Sequence, residues 1–225
     1  MQAVFDVADS GEPCILIGTQ MLAKGHHFAN VTLVAVLDAD SGLFSPDFRS
    51  HERMGQLLTQ VAGRSGRGDL PGKVVIQTHQ PQHPLLEVLI NKGYGFFAQQ
   101  LMSERRITQL PPFRHMALIR AESDRANEAE SFLRLARSIA ERISPPSPLV
   151  TYLGPLPAML EKRAGRFRFV LQINASKRSL LQSLLSALAL TLEEHKDSRR
   201  VRWTIDVDPQ EAPWQLPEEQ LTPYS

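Results

Sequence analysis

Two stretches of this 225-residue chain carry residues whose types and spacing suit work on phosphate. The first is Gly18-Thr19-Gln20-Met21-Leu22-Ala23-Lys24-Gly25, and the second is Gln60-Val61-Ala62-Gly63-Arg64-Ser65-Gly66-Arg67. Arg64 and Arg67 stand about one helical turn apart, and Gly63 and Gly66 let a helix end so that both guanidinium groups project from it. Guanidinium is always charged and offers forked donors to phosphate oxygens. The plainer alternative is a Gly/Arg-rich helix end on a solvated surface. Thr19 follows a strand-like run, which puts its hydroxyl and nearby N–H groups at the carboxyl edge of a sheet, where open parallel sheets bind ligands. An ordinary strand-to-helix turn would want the same Gly and Thr. The adjacent His26 and His27 point in different directions without flanking ligands, so no metal site is expected.

Such residues need a sheet behind them. Cys14–Ile17, Val31–Leu37 and Lys73–Thr78 are short apolar runs, the pattern of parallel strands buried on both faces. A helix is expected from about Pro46 to Val61, with Pro46 in its first turn and Gly63 at its end. Helices over Pro84–Lys92 and Tyr94–Ile107 follow, the second burying Phe97, Leu101 and Met102. Strands alternating with helices predict an α/β unit with a parallel sheet. Leu110-Pro111-Pro112-Phe113 then makes a stiff connector, and the domain boundary is placed there.

Beyond it the rhythm changes. Strand His115–Ala121 precedes an amphipathic helix Ala126–Ile143 with Phe132, Leu135, Ala136, Ile139 and Ile143 on one face. Strands Leu149–Leu153 and Phe167–Asn174 come next. A helix capped by Ser176 then carries Leu181, Leu184, Leu185, Leu188 and Leu192 on one side. Strand Val201–Val207 closes a β-α-β-β-α-β order, that of ferredoxin-like domains. The expected organisation is residues 1–109, residues 110–211, and a loose proline-bearing tail, domainless over 212–225 and loose from Pro209.

Composition narrows the classes. The formal net charge is only +1, so affinity for nucleic acid must come from local patches. Cys14 is the single cysteine, which excludes an internal disulfide and a cysteine-rich metal site. No apolar run reaches the length of a membrane span and Met1–Ser10 has no signal-peptide pattern, so the cytoplasm is the expected compartment.

Ile17 to Phe28, Pro46-Asp47-Phe48-Arg49-Ser50-x-Glu52-Arg53 and Gln56 to Gly68 together resemble the primosomal replication-restart DNA helicases, a family of superfamily 2. The first and last of these stretches look like helicase motifs V and VI. Leu110-Pro111-Pro112, Leu153-Gly154-Pro155, Arg166-x-Arg168 and Trp203-x-x-Asp206-Val207-Asp208-Pro209 follow in that family's C-terminal order. The resemblance covers about residues 12–211.

It implies half of an ATP-driven motor, the latter part of a RecA-like lobe 2, followed by a ferredoxin-like C-terminal domain. Arg67 would be the arginine finger, Arg64 its partner, and Gln60 the sensor of nucleotide or water, with Gly63 beside the nucleotide. A finger of this kind is worth roughly 10³–10⁵-fold in turnover. Thr19, Gln20 and Lys24 would hold the phosphodiester backbone of DNA. The family commonly carries Asp where His27 stands, contacting the nucleotide sugar. Asp38 and Asp40 end a strand, either forming a turn or lining a loop near the nucleotide.

Neither a Gly-x-x-x-x-Gly-Lys-Ser/Thr cradle nor an Asp-Glu-x-His box occurs. The resemblance therefore implies a C-terminal fragment, inactive as an ATPase by itself. ATP with magnesium would act only in the complete protein, and the family's zinc-binding cysteines lie outside this chain. Implied partners are forked and single-stranded DNA, the acidic, aromatic-ended C-terminal tail of single-stranded DNA-binding protein, and other primosome proteins, with no membrane.

The second domain holds a mild excess of Lys and Arg. Lys162, Arg163, Arg166 and Arg168 flank Phe167 and Phe169, Lys177 and Arg178 open a helix, and Arg199, Arg200 and Arg202 lead into the last strand. Either these are solvated faces or they form one basic surface near the second helix and strand Phe167–Asn174. In the second case Arg166 and Arg168 would meet DNA, and Lys177 and Arg178 a carboxylate of the partner tail. Trp203 either stacks on a base or packs in the core. The competing readings are a stand-alone binding module without ATPase and a branch-migrating superfamily-2 helicase. The Pro46–Arg53 segment and the β-α-β-β-α-β tail speak against the latter.

Overall fold

The computed structural model describes residues 10, 12–18, 31–63 and 72–210. The chain divides into two compact units, Met1–Met102 and Ser103–Ser225. Both are mixed α/β in content.

In the first unit β1 (Leu33–Val36) and β2 (Lys73–Ile76) pair in parallel, with Leu33 opposite Lys73 and Val36 opposite Ile76. Between them lie a short helix α1 (Asp40–Leu43) and α2 (Ser50–Ala62), and after them the long α3 (Pro84–Ile107). Both strands alternate exposed and half-buried residues, so the expected burial on both faces does not hold. One face only is covered. Cys14–Ile17 is not a strand: among the described residues it pairs with no other segment, and Ile15 and Ile17 are 88% and 89% exposed. An apolar run becomes a strand only where a neighbour offers its backbone groups, and among the described residues none pairs with this one.

Helix α2 begins at Ser50 rather than Pro46. Asp47 accounts for the delay. Its carboxylate accepts the N–H of Arg49 at 3.0 Å, its carbonyl accepts the N–H of Ser50 at 2.9 Å, and Arg53 reaches back to it at 2.5 Å. The turn is therefore complete before the helix starts. Met54, Leu58 and Val61 repeat at helical spacing on the buried side. Gly55 sits against the Phe97 ring so closely that an added Cβ would lie 2.3 Å from it.

In α3, Gly93 adopts φ 80° and ψ 175°, which splits the element into the two helices the sequence predicts. Phe97 and Leu101 are buried, whereas Met102 faces solvent. Leu43, Met54, Leu58, Leu85, Leu86 and Leu89 complete this core.

The second unit is a four-stranded antiparallel sheet in the order β4-β5-β3-β6, from β3 (His115–Ser123), β4 (Val150–Arg163), β5 (Arg166–Ala175) and β6 (Arg202–Val207). Helices α4 (Ala126–Ile143) and α5 (Arg178–Glu194) are inserted to give a β-α-β-β-α-β order. Both pack on one face, where Ala117, Ile119, Ala121, Leu171 and Ile173 meet Phe132, Leu133, Ala136, Leu184 and Leu188. Trp203 belongs to this core, its ring 5.8 Å from that of Phe132.

Three expectations need correction. The buried stripe of α4 takes in Ala129, Leu133 and Ala140, leaving Leu135 half-buried and Ile143 exposed, because an apolar stripe packed on a sheet is wider than one row. The N-cap of α5 is Lys177, not Ser176, and the buried Ser176 hydroxyl has no hydrogen-bond partner among the described residues. Pro209 is buried rather than part of a loose tail. Residues 211–225 lie outside the described residues.

Candidate nucleic-acid interface

Thr19, Gln20, Lys24, Arg64 and Arg67 lie outside the described residues, as do His26 and His27. Their neighbours are placed. Gln60 sits half-buried in the last turn of α2, and Gly63 is the exposed C-cap of the helix that leads into Arg64. Gly63 closes the helix in the right-handed region, φ −69°, with its N–H on the Thr59 carbonyl at 3.1 Å.

Two carboxylates with different tasks follow β1. Asp38 shapes its own turn, accepting the N–H of Ser41 at 3.2 Å. Asp40 instead reaches across to the segment after β2. It accepts the Thr78 hydroxyl at 2.6 Å and the His79 N–H at 2.9 Å, and it meets His79 Nδ1 at 2.6 Å. The Thr78 hydroxyl, then the His79 N–H and ring, hold the Asp40 carboxyl at about 2, below its usual 3.8.

In the second unit the basic residues do not form one surface. Arg166 and Arg168 occupy alternate positions on β5, and side chains two apart share a sheet face. Phe169, Leu171 and Ile173 take the helix-covered side, so Arg168 lies on the opposite side, with Val170 and Gln172. Lys177 and Arg178 stand exposed beyond the far end of the same strand, at the start of α5. About nine residues of extended chain, roughly 30 Å, separate the two pairs.

Register brings together residues that the sequence scatters. Arg168 of β5 faces Glu122 of β3, which faces Arg202 of β6. One step along, Arg120 of β3 faces Val170 on one side and Thr204 on the other. Adjacent strands stand roughly 5 Å apart, so three arginines from three strands converge on one patch. They line an open cavity of about 260 Å³ together with Glu122, Ala158, Val170 and Thr204.

Arg120 is held by Asp206 at 3.1 Å, and Arg202 meets Glu122 at 3.5 Å. Arg168, half-buried in the cavity wall, has no hydrogen-bond or ion-pair partner among the described residues. Toward Met116 and Leu118 this face of the sheet is buried; toward Arg168 and Arg202 it opens. On the other side of the β4–β5 hairpin, Lys162 Nζ lies 4.7 Å over the Phe167 ring. Of the residues in this patch the sequence singles out Arg168 and Arg202 but not Arg120 and Thr204, which carry no local signal. Only their cross-strand neighbours single them out.

An antiparallel sheet with paired helices on one face and an arginine-lined patch on the other follows a parallel α/β unit, and its sequence has a family. Residues 106–210 match the profile described as Primosomal protein N C-terminal domain. The wider chain is similar to the replication restart protein PriA of Haemophilus influenzae, 44% identical over 94% of this chain and 28% of that protein. It is 38% identical to the Synechocystis protein of the same name over 92% of this chain and 24% of the relative. The Bacillus subtilis protein is 36% identical over 88% and 24%. The chain is similar to the C-terminal part of these PriA proteins, and residues 106–210 match that family's C-terminal domain. It spans about a quarter of the length of these relatives. Among the described residues no helix is long and apolar enough to cross a membrane.

Proposed function

We propose that this chain is the C-terminal part of an ATP-dependent 3′-to-5′ DNA helicase that restarts stalled replication forks and assembles the primosome in the cytoplasm. The observation that carries this reading is similarity along about nine-tenths of the chain to proteins named for replication restart. The fold is consistent with it. Two parallel strands joined through α2 suit part of a RecA-like lobe. The β-α-β-β-α-β order, with β4-β5-β3-β6 antiparallel and both helices on one face, suits a ferredoxin-like domain.

In the complete protein, ATP with magnesium would be held by the other lobe and zinc by cysteines outside this chain. This chain's share is the helix end that carries Gln60 and Gly63 into Arg64 and Arg67. Arg67 steadies the charge on the transferring phosphoryl group, Arg64 supports it, and Gln60 senses the nucleotide. Thr19, Gln20 and Lys24 hold the DNA backbone, and Arg166 and Arg168 add phosphate contacts from the second unit. Lys177 and Arg178, exposed at the start of a 17-residue helix, dock a carboxylate of the single-stranded DNA-binding protein tail.

Arg67→Ala in the complete protein tests the motor reading. Nucleotide binding should persist while turnover falls by about 10³-fold or more. Normal hydrolysis would remove Arg67 from the finger role. For the tail contact, a Lys177→Ala/Arg178→Ala double variant should bind the acidic tail peptide more weakly; equal affinity would discard the site.

A further inference from the structure

We propose that the open end of the sheet in the second unit is a phosphodiester notch, formed by Arg168, Arg120, Arg202 and Thr204, across which a DNA strand runs. This rests on the DNA-binding reading above and adds a place, a donor set and a direction to it.

Charge is the first argument. Three guanidinium groups and Arg166 share this end of the face with two carboxylates, Glu122 and Asp206, so it keeps net positive charge although the chain as a whole is nearly neutral. The distribution matters more than the sum. Asp206 engages Arg120 and Glu122 engages Arg202. Among the described residues Arg168 is left without an acceptor while forming part of the cavity wall. A half-buried guanidinium lacking an anion is costly to keep, and an arriving phosphate relieves that cost.

Shape is the second argument. A cavity of about 260 Å³ takes a phosphate with part of its sugar and not a folded element. Its lining offers guanidinium forks for the anionic oxygens, the Thr204 hydroxyl as a further donor, and Val170 and Ala158 as an apolar wall for the sugar. An acidic peptide would satisfy the charge too. A carboxylate accepts forked donors in its own plane, whereas the tetrahedral phosphodiester presents its two non-bridging oxygens out of plane, which suits donors arriving from three adjacent strands. Because the donors line up across β5, β3 and β6, the strand they hold runs across the sheet rather than along α5, which covers the opposite face.

The test measures binding of the intact 225-residue chain to a fluorescent single-stranded oligonucleotide over a range of salt concentrations. Arg168→Ala should weaken binding about five- to tenfold and lower the salt slope by about one. Arg134→Ala is the control, since Arg134 pairs with Glu130 on α4 and loses the same unit charge elsewhere. It should change affinity less than about twofold. Arg168→Lys keeps the charge and loses the fork, and should fall between Arg168→Ala and the unaltered chain at an unchanged slope. Circular dichroism confirms that each variant folds, and the lysine variant keeps the test open if alanine disturbs β5.

If Arg168→Ala behaves like Arg134→Ala, the notch is refuted while DNA binding by the chain stands. The notch is also refuted if Arg168→Ala spares DNA but weakens a polyglutamate peptide. If the unaltered chain fails to bind the oligonucleotide at low salt, the broader DNA reading falls, and the notch with it.

Discussion

The two units bury their strands to different degrees, and the difference shows what a sheet needs before its pattern can be recognised. In the second unit every strand has a partner, both helices lie on one face, and Ala117, Ile119, Leu171 and Ile173 are fully buried. In the first unit two short parallel strands expose Leu33 and Val75, and the apolar Ile15 and Ile17 pair with nothing described. Parallel strands rely on neighbours and on cover from both sides, whereas an antiparallel sheet packed on one layer of helices can leave part of its other face open, as this one does toward Arg168 and Arg202. The second unit therefore shows a closed core within the described residues, and the first shows its packing mainly where α2 meets α3.

Cutting into each core separately would break or sharpen this contrast. The largest effect is expected at Phe132, which joins α4 to Trp203 and the sheet. Phe132→Ala should cost about 3–5 kcal/mol by urea unfolding followed by tryptophan fluorescence. A loss below about 1 kcal/mol would mean that this core is not the cooperative centre of its unit. Gly55→Ala probes the other core, because its new methyl must displace the Phe97 ring, itself fully buried. Overpacking of this kind should cost roughly 1–3 kcal/mol. Hydrogen exchange should localise the loosening to α2 and α3, and wild-type protection there would show that the ring has room to move.

The same contrast explains what was legible beforehand. The α4 span Ala126–Ile143 is the one the apolar spacing predicts, since a helix's pattern is local and repeats along its own length. Strand β4 runs on to Arg163, well past the predicted Leu153, because Gly154, Pro155 and Pro157 look like breakers. As an edge strand it tolerates proline, and Gly154 takes φ 102° with the Val170 carbonyl too close for any side chain. The arginine notch was half visible. Arg168 and Arg202 stand in basic runs that the sequence shows, but Arg120 and Thr204 join them only through register, which is a property of the paired sheet. Two-sided burial of β1 and β2 failed for the opposite reason. Their residues carry the pattern, but the cover it calls for is not among the described elements.

The smallest predicted effect is also the most local one in the first unit. Asp40 holds the two parallel strands together at their carboxyl ends through Thr78 and His79, and its folded pKa of about 2 lies below the ordinary 3.8. A carboxyl whose pKa is lowered on folding stabilises the fold fully above its unfolded value, and that contribution fades as pH falls toward the folded value. Between about pH 4 and pH 2 the tie should therefore weaken, and the protection of the His79 backbone N–H, its exchange rate relative to the intrinsic rate at the same pH, should be lower there than at neutral pH. Asp40→Asn keeps the shape but removes the titrating group, so exchange at His79 should become nearly independent of pH in that window after correction for the intrinsic rate. An unchanged acid dependence in the variant would assign the effect to another carboxylate and leave Asp40 as a turn residue like Asp38.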